Sequence, residues 1–140
     1  MMERVYLDTN ILMDYVAERE NRAYAETIIE LARQGGLQLF ASYLSYANMG
    51  YILRHRSIEE RYHMIRLARR VATVLPCDSA QIDKALAQPV KDYEDMLQYQ
   101  CALSANCDVI ITNNKRDFIG FSQIPLMTAE EYLLQYKGEF

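Results

Sequence analysis

Four aspartates in this 140-residue chain stand where their side chains could do chemistry. Asp8 and Asp117 each follow a short apolar segment, while Asp92 and Asp95 are three residues apart and would share one face at the start of a helix. Carboxylates that converge in one crevice repel one another, and some take up protons unless a cation is present. Mg²⁺ prefers oxygen ligands, Mn²⁺ accepts similar sites, and either ion can activate water for phosphodiester hydrolysis. These residues therefore suggest a metal-dependent hydrolase without a covalent nucleophile.

Each of these aspartates also has a purely structural explanation. Asp8 could cap the helix that it opens, and Asp92 with Asp95 could be a capping arrangement favoured by the helix dipole. Asp117 could be a residue of the turn that follows the fourth strand. The joint placement of these carboxylates is what favours a site over separate structural roles.

The elements that must position these residues are predicted by short apolar segments that alternate with helical patterns. The segments read as strands are residues 5–7, 37–41, 73–76, 109–111 and 125–127. The predicted helices cover residues 23–33, 45–53, 61–71, 79–86, 93–105 and 129–136. Strands that are apolar throughout are typical of a buried parallel sheet, so the class is α/β with one domain over residues 1–140. Ligands bind such sheets at the carboxyl ends of the strands, where the strand order reverses, and Asp8 and Asp117 follow such ends.

The composition limits the kinds of partner. The net charge of −4 and the isoelectric point near 5.2 exclude tight nucleic-acid binding by charge alone, so any such contact needs a local basic patch or a bound metal. Three cysteines without a Cys-x-x-Cys pair argue against a disulfide framework or a zinc site. The sequence has no signal peptide and no apolar run of membrane-spanning length, so we expect a cytoplasmic protein without membrane contact.

Three segments of the chain resemble the PIN-domain family, which includes the VapC-type toxins. They are residues 6–14, Tyr-Leu-Asp-Thr-Asn-Ile-Leu-Met-Asp; residues 92–103, which begin Asp-Tyr-Glu-Asp; and residues 109–118, Val-Ile-Ile-Thr-Asn-Asn-Lys-Arg-Asp-Phe. The resemblance implies that Asp8, Asp95 and Asp117 hold the metal, with Asp92 as an outer ligand or as a base that orients water. It also implies supporting roles for Thr9, Asn10, Thr112 and Asn114. Lys115 and Arg116 flank Asp117 and are candidates for phosphate contact.

One motif departs from the family pattern. The family usually has Ser, five residues and then Glu at the start of its third helix, whereas here Ser42 is followed by Asn48 at that position. No Asp or Glu occurs between Leu37 and Ile58, so a shifted alignment cannot restore the acid. Asn offers a neutral carbonyl oxygen in place of a carboxylate, which weakens the expected metal binding.

The resemblance implies a three-layer α/β/α sandwich with a parallel sheet of about five strands, and an endoribonuclease that depends on Mg²⁺ or Mn²⁺. It also implies an RNA substrate, an antitoxin partner if the protein is a toxin, and a homodimer. The alternative is a degenerate PIN fold that binds RNA or a protein without cleavage. This alternative is considered because Asn48 stands where the family usually has Glu. A haloacid-dehalogenase-type phosphatase is disfavoured because Asn10 stands where that class needs a second Asp. A response-regulator receiver is disfavoured because the middle strand ends without an acid.

Overall fold

Short apolar segments pair as one parallel sheet in the computed structural model, which describes residues 2–136. The strands are β1 (Glu3–Leu7), β2 (Leu37–Ser42), β3 (Thr73–Leu75), β4 (Val109–Ile111) and β5 (Leu126–Met127). Their order in the sheet is β3-β2-β1-β4-β5, and every neighbouring pair is parallel. The chain builds outward from β1 to β3 and then returns to place β4 beside β1. The order therefore reverses between β1 and β4, which confirms that Asp8 lies at the switch point.

Eight helices connect and cover these strands within residues 2–136. They are α1 (Thr9–Val16), α2 (Arg22–Arg33), α3 (Tyr43–Ile52), α4 (Ile58–Arg69), α5 (Ser79–Leu86), α6 (Tyr93–Ser104), α7 (Arg116–Ile119) and α8 (Ala129–Gln135). None of these helices has the length and apolar character needed to span a bilayer.

Two hydrophobic clusters lie on opposite faces of the sheet. Successive side chains of a strand point to opposite faces, and in β1 the side chains of Val5 and Leu7 enter one cluster while Tyr6 enters the other. Helices α1, α2, α3, α4 and α8 contribute buried residues to the first cluster, and α5, α6 and α7 contribute to the second. This arrangement confirms the three-layer α/β/α sandwich with a five-stranded parallel sheet.

Most predicted elements are present with ends shifted by a few residues. The largest shift is in α4, which begins at Ile58 instead of residue 61 because the Ser57 hydroxyl accepts a hydrogen bond from the Glu60 N–H at 3.1 Å and caps the helix earlier. Helix α2 ends just before Gly35, which has φ of +82°, a left-handed conformation that favours glycine. The Thr128 hydroxyl caps α8 by accepting a hydrogen bond from the Glu131 N–H.

Asp117 was predicted to lie in the turn that follows β4, and this was wrong because that turn ends at residue 115. Asp117 lies instead on the short helix α7. The backbone N–H of Asp117 donates to the Asn114 carbonyl at 3.0 Å, and the Phe118 side chain is fully buried in the second cluster. Burial of Phe118 fixes the segment against α6 and leaves its neighbour Asp117 exposed.

Candidate active site

Asp8 is the most firmly held carboxylate of the candidate site. It directly follows β1 and caps α1, and only 7% of its surface is exposed. Its Oδ1 accepts a hydrogen bond from the Thr9 N–H at 2.7 Å, and its Oδ2 accepts from the Thr112 hydroxyl at 2.7 Å and from the Asn10 side-chain amide at 3.1 Å. Three residues predicted to support the site therefore contact Asp8 directly.

Further hydrogen bonds fix the residues that hold Asp8. The Thr112 hydroxyl accepts from the Asn114 N–H at 3.0 Å, so Asn114 acts through Thr112 and does not itself reach Asp8. The Thr9 hydroxyl donates to Ser45 Oγ at 2.9 Å, which ties the start of α1 to α3. These bonds connect the loop after β4 with the helices on both sides of β1.

Asn113 belongs to the same network and was missed by the sequence interpretation. Its backbone N–H donates to Asn10 Oδ1 at 3.3 Å, and its side-chain amide donates to the buried Asp14 carboxylate at 2.8 Å. Asp14 ends the first segment quoted above, so its spacing from Asp8 was visible. No local pattern indicates, however, that its partner lies 99 residues away.

Asp95 and Asp92 occupy the first turn and the cap of α6. The Asp95 N–H donates to Asp92 Oδ1 at 3.1 Å, so the structural role considered for Asp92 is present. The Asp95 side chain is 9% exposed. Burial, followed by the charges of Asp92, Asp8, Asp117 and Glu94, raises the pKa of Asp95 to about 7. Burial also raises the pKa of Asp8, and the Thr112 hydrogen bond opposes that shift.

A cleft of about 330 Å³ brings the predicted metal ligands together. Its lining includes Asp8, Asp95, Asp117 and Asn48, together with Thr9 and Asn10. A neighbouring cavity of about 570 Å³ shares Asp95 and Asp117 and is also lined by Lys91, Asp92 and Arg116. Lys115 lines neither space, because its ammonium group pairs with the Glu131 carboxylate at 2.9 Å.

The cleft also contains residues that the sequence interpretation did not select. They are Met13, Arg19, Tyr51, Ile52, Glu94 and Gln98. Glu94 accepts a hydrogen bond from the Asn48 side-chain amide at 2.7 Å. The available signal was the acidic run from Asp92 to Asp95, in which Glu94 directly precedes the predicted ligand.

The donor chemistry of the cleft fits a hydrated divalent ion. Within residues 2–136, no three acidic, histidine or cysteine side chains are grouped tightly enough to form a complete metal site by themselves. Mg²⁺ commonly uses one or two carboxylates, keeps several waters and takes further oxygens from substrate phosphates. Asp8, Asp95 and Asp117 around one open cleft provide oxygen ligands for such an ion and leave room for a phosphate.

The raised pKa of Asp95 predicts how stability depends on pH in metal-free protein. Between the ordinary value of 3.8 and the folded value of about 7, folded Asp95 binds more protons than unfolded Asp95. The contribution of Asp95 to the free energy of unfolding is therefore fully present below the pKa of the unfolded state and is lost as the pH rises through the folded pKa of about 7. We therefore expect the free energy of unfolding, measured with urea and a chelator, to fall between about pH 4 and about pH 7.

Asp95→Asn is the matched variant for this measurement. It removes the titrating group, so most of the fall should disappear, and Asp8 accounts for what remains because its pKa is shifted in the same direction. A wild-type stability that rises over the same pH interval would contradict the prediction.

Comparisons with known proteins agree with the fold. Ribonuclease VapC1 of Aquifex aeolicus (strain VF5) is 26% identical over 136 residues, which cover 93% of each chain. Among solved structures, Rickettsia felis VapBC2 bound to a promoter DNA fragment matches with a TM-score of 0.73 at 14% identity, covering 89% of this chain and 98% of that one. A toxin-antitoxin complex from Klebsiella pneumoniae matches with a TM-score of 0.65 at 21% identity, covering 89% and 97%.

The family itself is given by a direct match of the sequence. The model of the PIN domain matches residues 4–116, which include Asp8, Asp92 and Asp95 and end directly before Asp117. The match covers well over half of the chain and contains β1, β4 and most of the network around Asp8. The chain therefore belongs to the PIN-domain family.

Proposed function

We propose that this protein is an endoribonuclease that depends on Mg²⁺ or Mn²⁺. The observation that carries the proposal is the cleft at the switch point, where Asp8, Asp95 and Asp117 arrive from three separate elements of the fold. The likeness to the Aquifex ribonuclease over 93% of each chain supports RNA as the substrate. A site of this kind needs a hydrated ion and a phosphate, and the cleft has room for both.

The three carboxylates differ in burial and in the number of hydrogen bonds that hold them, and this suggests different roles. Asp8 is fixed by its hydrogen bonds to Thr9, Asn10 and Thr112, so it would set the position of the ion. Asp117 is exposed and can adjust as substrate enters. One carboxylate oxygen of Asp92 accepts the hydrogen bond that caps α6, and its second oxygen is available to orient water. A bound divalent ion supplies an activated water and neutralises the charge that develops on the leaving oxygen.

Basic side chains near the carboxylates could contact RNA phosphates, although the chain has a net charge of −4. Arg19 lines the cleft on one side of Asp95 and Asp117, while Lys91 and Arg116 line the cavity on the other side. A strand that crosses between the two spaces would meet a cation before and after the carboxylates. Because phosphate contacts position nucleic acid without reading its sequence, we assign these residues to substrate placement.

The comparisons also support a place in a toxin–antitoxin pair. The Klebsiella structure is a toxin-antitoxin complex, and the fold likeness extends over 97% of the matched chain. We propose an antitoxin protein as the partner of this chain. The homodimer implied by the resemblance and the single domain over residues 1–140 stay predictions.

The test of metal dependence is a calorimetric titration of Mg²⁺ and Mn²⁺ into the wild type and into Asp95→Asn. We expect binding to the wild type and a loss of binding in the variant, because Asp95 supplies a buried carboxylate to the cleft. Asp83→Asn is the matched control, since Asp83 is exposed on α5 and lines neither cavity. Cleavage of RNA by the metal-loaded wild type is then measured with the same variants.

One observation favours a second function, a PIN fold that binds RNA or protein without cutting. Asn48 lines the cleft at the position where the family usually has Glu. Absence of metal binding at millimolar Mg²⁺ and Mn²⁺, together with retained RNA binding, would favour this function over the ribonuclease.

A further inference from the structure

Asn48 and Glu94 form a contact between α3 and α6 inside the candidate site. The Asn48 side-chain amide donates to Glu94 Oε1 at 2.7 Å. Both residues line the cleft that also contains Asp8, Asp95 and Asp117. They are 46 residues apart in the sequence, so the fold alone brings them together.

The charges on the two helices explain why this pair is significant. Helix α3 carries no acidic residue, because no Asp or Glu occurs between Leu37 and Ile58. Glu94 has no salt-bridge partner within residues 2–136, and its contact with Asn48 is a hydrogen bond to a neutral amide. An unneutralised carboxylate close to Asp95 is unfavourable unless a cation is present. Glu94 therefore adds a negative charge to the side of the cleft where α3 supplies none.

The hydrogen bond also restricts where Glu94 can lie. A Glu side chain has several rotatable bonds, and an exposed one is ordinarily free to leave the cleft. The amide of Asn48 holds one carboxylate oxygen, so the second oxygen stays near the cleft. An acidic residue at position 48 could not do this, because two carboxylates at hydrogen-bond distance repel each other.

We propose that Glu94, oriented by Asn48, supplies from α6 the carboxylate that α3 lacks in this chain and completes the divalent-metal site. Asn48 is then a positioning residue, and its amide replaces a charge with a hydrogen-bond donor. The inference rests on the proposed metal-dependent function and specifies which residues make up its site. It removes the reason for regarding Asn48 as the mark of a degenerate site.

The first test measures Mn²⁺ affinity by calorimetry in Glu94→Gln. We expect the affinity to fall about 10- to 100-fold, as is typical when a group that supports a metal site is lost. Glu130→Gln is the matched control, because Glu130 is exposed on α8 outside both cavities, and its affinity should equal that of the wild type. Circular dichroism of each variant confirms that the fold is retained.

Asp117→Asn, measured alongside, separates this inference from the proposed function. If Asp117→Asn loses Mn²⁺ binding while Glu94→Gln keeps wild-type affinity, the role of Glu94 is overturned and the metal site stands. If neither variant changes the affinity, both are overturned.

The second test exchanges the two side chains. Glu94→Asn alone should bind Mn²⁺ weakly, whereas Asn48→Glu with Glu94→Asn moves the carboxylate to α3 and the amide to α6. We expect the exchanged protein to bind Mn²⁺ at least about fivefold more tightly than Glu94→Asn, because the two residues are in contact and their effects are coupled. If the exchanged protein bound Mn²⁺ no better than Glu94→Asn, a carboxylate at position 48 could not replace the one at position 94. This result would overturn the proposal.

Discussion

Asp117→Asn is expected to lower metal-dependent RNA cleavage about a thousandfold, because a metal ion contributes several kcal/mol of charge stabilisation in the transition state. Asp117 is exposed and its side chain caps nothing, so the substitution should leave the free energy of unfolding nearly unchanged. The measurement is single-turnover cleavage of a labelled RNA at saturating Mg²⁺, with urea unfolding of the same samples. A separation of activity from stability is the signature expected of a ligand.

Asp83→Asn is the control for this experiment as well. It removes the same charge from an exposed position on α5, so it tests whether net charge alone affects RNA cleavage. We expect wild-type rates. Undiminished cleavage by Asp117→Asn would exclude Asp117 as a ligand, and equal losses in both variants would point to a general effect of charge.

Phe118→Ala should produce the largest change in stability. Its ring is fully buried, and it packs edge-on against Phe121 with centroids 6.0 Å apart. Removal of a buried Phe typically costs about 3–5 kcal/mol, which is a large part of the total stability of a small domain. We expect the midpoint of urea unfolding to fall accordingly. Cleavage should also fall at temperatures where the fold persists, because Phe118 holds α7 and with it Asp117.

Ile119→Ala provides a matched comparison on the same short helix. Ile119 is 71% exposed, so its truncation should change the free energy of unfolding by no more than about 0.5 kcal/mol. If the two variants unfolded at the same urea concentration, α7 would not be anchored by Phe118.

The central sheet could be predicted because its strands are short, apolar throughout and separated by helical patterns. Few folds other than a parallel sheet covered on both faces fit such a combination. The predicted ends of β4 agree with the observed ones, Val109–Ile111. Helix α7 could not be predicted in the same way. It has four residues, which is too few for a helical period to be visible, and its position depends on where Phe118 is buried.

The site could be predicted only in part for a related reason. Asp8 and Asp95 were selected because each stands at the end of a predicted strand or helix, and Asp117 was selected because it follows β4 in a segment that resembles the PIN-domain family. Glu94 and Asn113 were missed because their roles depend on partners that are distant in sequence. Glu94 meets Asn48 across 46 residues, and Asn113 meets Asp14 across 99. Such contacts depend on how the helices pack on the sheet, and local sequence patterns do not indicate that packing.

The hydrogen bond between Asp8 and Thr112 joins residues 104 positions apart, and the backbone N–H of Asp8 donates to the Ile111 carbonyl at 3.0 Å. During synthesis, Asp8 is made about a hundred residues before the loop after β4 that fixes it. A growing chain that has not reached β4 can pair β1 with β2 while Asp8 still lacks these partners. For the proposed ribonuclease, the nascent protein would therefore be inactive until β4 and the loop after it have been made, so the ribosome that makes it is not exposed to its activity in the meantime.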